Sequence, residues 1–427
     1  MLLAVARVAR TRFYTPAAMT AAALLAADPV VTANDDRLRF ESFSACAGAY
    51  ARFDLMASSL DGQFMGYGTT NVDFNMPMRA ALGRLADADH VTLSVGLDEL
   101  QLESAGGRVV ERKVPLPVRW VKGFAEVQLF CSRMVLVHEL SAVETRRFLA
   151  SISSARTGHA QLYAVRSGAG LRLSATPSPT AVHVGGVERL KTLAELARWA
   201  RSLRVYGEEG GSSGWELVLD QASFHLVLSP DASRGFSGEG NVLNELVDSE
   251  AEAAMEQLYP HLLWRSRLDV APLARATGLK EPAVRAGLGR LGASGAVGFD
   301  VAEGTYFHRE LPFDQAGLVT MHPRLRDANR LVQNAAVRLL PTEGTETVRA
   351  AVLSGGVEHV VRITGADARC SCPWYGRHQG GRGPCKHVLA TRLTMAAQHH
   401  PVPTRDEHRN EKADTVNVRY RHVVLAQ

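Results

Sequence analysis

Cys370-Ser371-Cys372 and, twelve residues further on, Cys385-Lys386-His387 decide how the C-terminal part of this 427-residue chain folds. These four donor side chains take up three of the chain's five cysteines. Zn²⁺ in structural sites binds four N or S ligands tetrahedrally, and three cysteines with one histidine are a standard set. One intervening residue lets Cys370 and Cys372 turn both sulfurs inward at a strand end or tight turn. Cys385 and His387 straddle Lys386 at the start of a helix expected over 386–395. Free backbone N–H groups and the positive end of the helix dipole favour a thiolate there. Three thiolates and Zn²⁺ leave one net negative charge, which Arg369, Arg377, Arg382 and Lys386 are near enough in sequence to offset. Four protein ligands make a closed structural site, because a catalytic zinc keeps one position for water. His378 is the one spare histidine of the loop and reads as solvated, and Gly380, Gly381 and Gly383 make that loop flexible.

The finger is preceded by a β-meander expected over 336–340, 347–353 and 357–363, with turns at Glu343-Gly344 and Gly355-Gly356. It runs on into Val388-Leu389-Ala390. The spacing C-x-C-x₁₂-C-x-H in this setting resembles the SWIM-type zinc finger, and all four ligands map onto the family pattern without a gap. Trp374 or Tyr375 stands where that family often has an aromatic residue. The resemblance implies a zinc-dependent module that binds DNA or other proteins. The wider arrangement looks like bacterial SWIM zinc finger proteins to which no activity is attached.

Upstream, residues 250–312 change character. Helices are expected over 250–264, 270–276 and 282–291, the last with Val284, Leu288 and Leu291 on one stripe. A hairpin over 296–300 and 305–309 follows. Three helices and a small hairpin resemble the winged helix-turn-helix family, whose third helix enters the DNA major groove. Its outward positions here would be Ala283, Arg285, Ala286, Gly289 and Arg290. Only Arg285 and Arg290 among them can reach bases or phosphates.

Residues 36–245 read as an α+β region. Strands are expected over 37–43, 51–55, 67–75, 90–95, 99–103, 108–114, 160–165, 171–175, 215–219 and 224–228. Helices are expected over 78–85, 141–152 (with Ser141 and Glu144 as a capping box) and 190–203. The order helix, strand, turn, strand recurs at 78–103 and 191–228, as a diverged duplication would show. Thr69, Asn71, Asp73 and Asn75 fall on one strand face. They read as a solvated face ending in an Asx turn, or as the polar row of an enzyme site. The region holds no Gly-rich phosphate loop, nucleophile elbow or metal spacing, and Cys46 and Cys131 read as buried apolar groups.

The expected class is therefore α+β and multidomain. It comprises an N-terminal segment 1–35, a large mixed α/β region 36–245, a winged-helix-like unit 246–315, a β-meander plus helix zinc module 320–397, and a flexible polar tail 398–427. With 46% hydrophobic and 22% charged residues, the chain is an ordinary globular protein. Its few cysteines fit a reducing, cytoplasmic setting rather than a disulfide framework. The alanine-rich stretch 17–31 is too short to cross a bilayer and is interrupted by Asp28, so no membrane partner is expected. A net charge of +4 permits an acidic partner without requiring one. The leading expectation is a non-enzymatic, Zn²⁺-binding protein that contacts nucleic acid with little sequence preference. The candidate contacts are Arg369, Arg377, Arg382, Lys386, Arg392, Arg285 and Arg290, with Trp374 and Tyr375 to stack on bases. The alternative is a protein-interaction adaptor; no small-molecule substrate is evident.

Overall fold

The computed structural model describes residues 1–14, 29–60, 66–72, 74–86, 90–96, 98–154, 161–168, 170–209, 211–313, 321–341, 347–399 and 423–425. After the helix Leu2–Arg10 come β1 (Val30–Ala33), β2 (Arg37–Phe43), β3 (Ala49–Met56) and β4 (Gly68–Asn71). A separate small sheet holds β5 (Thr92–Val95), β6 (Glu99–Ser104) and β7 (Gly107–Arg112). The helix Val118–Cys131 leads to β8 (Val135–Ser141), and the helix Ala142–Ser154 to a three-stranded sheet of β9 (Leu162–Arg166), β10 (Leu171–Ser174) and β11 (Val182–Val184). Then come β12 (Ser202–Gly207), β13 (Ser213–Val218) and β14 (Ala222–Leu228). The central eight-stranded sheet runs β4-β1-β2-β3-β14-β13-β12-β8.

Several expectations change. The helix Val118–Cys131 was not anticipated: eleven of its fourteen residues are buried, so it shows no amphipathic stripe from which a helical period could be read. The helix expected over 190–203 is one α-helical run, Lys191–Leu196, flanked by 3₁₀ turns, and Ser202 already begins β12. The two supposed repeats lie in different sheets, β5 and β6 in the small one and β13 and β14 in the large one. The polar row is also broken. β4 stops at Asn71, and Asn75 instead caps the helix Met76–Arg84, accepting from Met78 N at 3.3 Å. Asp73 lies outside the described residues. Thr69 Oγ1 meets Thr32 Oγ1 at 3.1 Å and accepts from Glu310 N at 3.2 Å, so its hydroxyl is occupied within the fold. The tail supplies one strand, Val423–Leu425, which pairs antiparallel with β5; its neighbours 400–422 lie outside the described residues.

Strand β2 reads Arg-Leu-Arg-Phe-Glu-Ser-Phe, an alternation that ordinarily marks a sheet with one wet face. Here all seven residues are buried. Leu38, Phe40, Phe53, Phe224, Leu226, Trp215 and Leu217 fill the apolar face. On the other face, register places Glu41, Arg52, His225, Glu216 and Arg204 side by side across β2, β3, β14, β13 and β12. Most of that charged face lies beneath the unit that follows.

This unit has helices Ser249–Leu258, Val270–Thr277 and Glu281–Ala293, then β15 (Val297–Asp300) and β16 (Thr305–His308). The elements expected from the sequence are present, but neither the hairpin nor the third helix is a free surface. Asp300 Oδ2 lies 2.9 Å from both Arg39 Nη1 and Arg52 Nη2, with Asp54 Oδ2 at 3.1 Å from each. Arg309 donates to Glu41 at 2.6 Å, and Arg37 to Glu303 at 2.7 Å. Arg39 also stacks over the Phe307 ring at 3.9 Å. Burial pushes the Asp300 carboxyl up, yet Arg52 and Arg39 outweigh it and hold it well below the usual range. Burial raises Asp54, and keeps His225 neutral with Arg52 adding to the effect. The third helix is packed through its glycines: a Cβ on Gly287 or Gly292 would strike Leu258 or Gln128. Gly289, expected to face outward, instead abuts Glu245.

Breaking a buried ion cluster by removing one partner strands the others in the interior. Asp300→Ala should therefore cost about 3–5 kcal/mol of unfolding free energy by denaturant titration. Glu126 gives a pH-dependent counterpart. It is buried on the helix Val118–Cys131, accepts from Val242 N at 3.2 Å, and burial pushes its carboxyl up to about 8. An acid raised in this way costs stability as pH climbs from its unfolded value towards 8, because only the unfolded chain then releases the proton. Glu126→Gln should remove that penalty, gaining about 1–4 kcal/mol over the parent at pH 8 and much less at pH 5.

Candidate metal centre

The C-terminal module begins with the helix Pro323–Gln333 and continues through β17 (Val337–Leu340), β18 (Thr347–Ser354), β19 (Val357–Thr364) and β20 (Asp367–Cys370) as an antiparallel meander. Gly355 and Gly356 have φ of 62° and 77°, the left-handed pair that a two-residue hairpin turn requires. β20 ends on Cys370, and Cys372 caps the short helix Pro373–His378, its sulfur accepting from Tyr375 N at 3.4 Å. Cys385 precedes the helix Lys386–His399, where Val388 N approaches its sulfur at 3.5 Å. Two of the three sulfurs therefore sit at helix N-termini, where backbone N–H groups stabilise thiolates.

Cys370, Cys372, Cys385 and His387 are all buried, and their ligand atoms lie within 4.8 Å of one another. His387 turns Nδ1 to the sulfurs, 3.7 Å from Cys370 Sγ and 4.0 Å from Cys385 Sγ. A tetrahedron with Zn–S of about 2.3 Å and Zn–N of about 2.1 Å has S···N edges of about 3.6 Å, close to these separations. The hydrogen bond from Cys370, with further help from His387 and Val388 N, brings the Cys385 thiol down to about 4. Cys370 moves the other way, chiefly through that same bond with Cys385. One thiolate is thus favoured even without a cation, and a dication in the centre favours all three. The residues fit Zn²⁺. Behind them, the His359 ring packs on His387 with centroids 4.3 Å apart. Cys46 and Cys131 lie elsewhere, buried and free.

The loop between the ligand pairs is docked on the body of the protein. Arg324 donates to Arg382 O at 2.7 Å, to Pro384 O at 2.9 Å and to Glu239 O at 2.8 Å. Arg382 donates to Gly238 O at 2.7 Å. Both guanidiniums stack on Trp374, at 4.7 and 5.4 Å from the ring centroid. His378, expected to be solvated, also packs on Trp374, with centroids 4.4 Å apart. Trp374 and Arg382 are half-buried and engaged in these contacts within the fold, so neither is the free surface side chain expected for nucleic-acid contact. Tyr375 packs against the module's core. Arg392 is half-buried near Glu245 and Asp248. Arg285 pairs with Glu281 at 2.9 Å and Arg290 with Glu252 at 3.5 Å, so both winged-unit candidates are locally neutralised. Lys386 is half-buried beside the centre, whereas Arg369 and Arg377 are exposed.

Residues 359–391 match the model of the SWIM zinc finger. That match and the Cys₃His cluster support zinc and metal binding by this module. No curated protein matches the chain. Among solved structures, similarity is found to a PCNA2–PCNA3 complex from Sulfolobus tokodaii (10% identity, 48% of this chain and 91% of that one, TM-score 0.36). It is also found to proliferating cellular nuclear antigen from Entamoeba histolytica (12%, 48% and 89%, TM-score 0.33). A third is A. fulgidus PCNA bound by the C-terminal region of FEN-1 (13%, 49% and 91%, TM-score 0.34). Likenesses this distant carry no argument about fold or partner. No helix among the described residues is long and apolar enough to cross a membrane.

Two exposed arginines escaped the sequence reading. Strand register sets Arg349 opposite Arg362, and Arg362 opposite Arg369, on the outer face of the meander. The available signal was the pair of two-residue turns at 355–356 and 365–366, which fix both registers.

Metal analysis of the purified chain should return about one zinc per molecule. Cys385→Ser should lose it, and hydrogen exchange should then quicken across 364–395 relative to the central sheet.

Proposed function

We propose that this protein is a zinc-stapled, non-enzymatic nucleic-acid-binding protein of low sequence specificity, with the SWIM module as its contact surface. The carrying observation is the separation of charge. Residues 320–397 hold eleven Lys and Arg against five Asp and Glu, a formal +6; the whole chain carries +4, so the remainder is −2. A polyanion is thus attracted to one end of the molecule and repelled weakly by the rest. The winged-helix-like unit has a lesser part, because its third helix is packed inward and its two arginines are already paired. Low specificity follows from the lack of base-reading side chains at its outward positions.

The adaptor reading keeps one observation in its favour. Val135 and Leu136, 64% and 50% exposed, lie on β8 at the edge of the central sheet, and an exposed apolar edge suits a protein strand or helix. A pull-down with the zinc-loaded chain at low salt separates the two readings. Nucleic acid should be retained, lost on nuclease treatment, and displaced as salt rises. A stoichiometric protein partner that survives nuclease, with no nucleic acid retained, would reverse the order of the two readings.

A further inference from the structure

We infer that the outer face of the β17–β20 sheet is a phosphodiester-backbone docking site, organised by the cross-strand row Arg349, Arg362 and Arg369. The inference rests on the nucleic-acid reading above and assigns it a place. All three side chains are exposed, on three adjacent strands, each directly opposite the next. Like charges so placed repel one another and cost stability. Among the described residues, none of the three has an ion-pair partner. Of the acids on this face, Glu358 pairs with Arg338 at 3.2 Å, and Asp367 stands opposite Thr364, in the neighbouring row. The connection 342–346, which contains Glu343 and Glu346, lies outside the described residues.

Adjacent strands are about 4.8 Å apart, so the outer two arginines originate roughly 10 Å from each other. Side chains that start from successive strands at this spacing can each meet a different phosphate, which suits an anion that repeats along a chain. Guanidiniums present paired N–H donors to phosphate oxygens, which strengthens the match. Around the row, Val360 and Leu353 are 42% and 54% exposed, and Thr347 and Thr364 pair through their hydroxyls at 3.0 Å. The outward positions described on these strands include no aromatic ring, so stacking on unpaired bases has no platform here. The backbone of a duplex is the better occupant. The metal centre supports the row from behind: Cys370 follows Arg369 directly and faces the module's core, so the zinc ligands hold β20 in the register that completes it.

The test is anisotropy with a labelled mixed-sequence DNA duplex, using the full zinc-loaded chain. Three phosphate contacts predict a salt slope of about −2.7, or roughly 40-fold weaker binding between about 50 and 200 mM salt. Arg349→Ala, Arg362→Ala and Arg369→Ala should each flatten the slope by about 0.9, leaving a loss of roughly 12-fold. Zinc content should be unchanged in each, and melting temperature unchanged or slightly higher as the like-charge repulsion is relieved. Arg201→Ala, which removes an exposed arginine paired with Asp220 at 2.6 Å, is the charge-loss control and should keep the parent slope. If the parent binds duplex but the three variants keep its slope, the row is not the site, while the nucleic-acid reading stands. If the parent binds no nucleic acid at low salt, that reading fails and the inference with it. Preference for single strands over duplex, or equal competition by polyglutamate, would also overturn the inference.

Discussion

Arg39 and Arg52 reach from neighbouring strands to Asp54 and Asp300, and all four side chains are almost wholly out of water. Charges can persist in such an environment only when they are paired and hydrogen-bonded. The constraint extends well beyond these four residues. Three of the four belong to the central sheet, but Asp300 comes from β15, more than two hundred residues away in sequence. The sheet's charged face therefore needs the hairpin, and the hairpin's carboxylate needs the sheet. Arg309 with Glu41 and Arg37 with Glu303 repeat the pattern on either side. This reciprocal need explains why the three-helix unit and its hairpin are held against the sheet.

The sequence showed the parts of that arrangement without their relation. Alternation in Arg37–Phe43 revealed a strand and its two faces, but a polar face ordinarily means solvent, and nothing local announces that Asp300 will cover it. The helix Val118–Cys131 was illegible for the opposite reason. Buried nearly all round, it has no polar side from which to count a helical period. Gly289 read as an outward position of the third helix, whereas Gly287, Gly289 and Gly292 mark close approaches to Leu258, Glu245 and Gln128. Each of these facts depends on a neighbour remote in sequence.

The metal centre was far more legible, because its determinants are local. C-x-C at a strand end and C-x-H at a helix start constrain four donors within a short span, and the four are brought within 4.8 Å of one another. Sequence proximity misled where it was used for charge. Arg382 and Trp374 lie between the ligand pairs, yet they are half-buried and engaged with Gly238 and Arg324. Arg349 and Arg362 lie far outside the ligand span, yet share a face with Arg369 through strand register.

The two charged sheet faces of this molecule differ in one physical respect. On the central sheet, acids and bases alternate across the strands and a third element supplies the missing carboxylate, so the face closes on itself. On the zinc module's sheet, three arginines stand in a row and the described acids of that face are engaged or displaced from it. A face that is compensated from within is buried and serves stability. A face left uncompensated is sustained only at the surface, where water and counterions screen the repulsion. Its charge remains available to an anion, whose binding releases those counterions. The zinc ligands lie on the opposite side of this second sheet, with Cys370 packed into the module's core. A compact metal cluster can thus fix the strands of a small sheet from behind without using any of the arginines at its front.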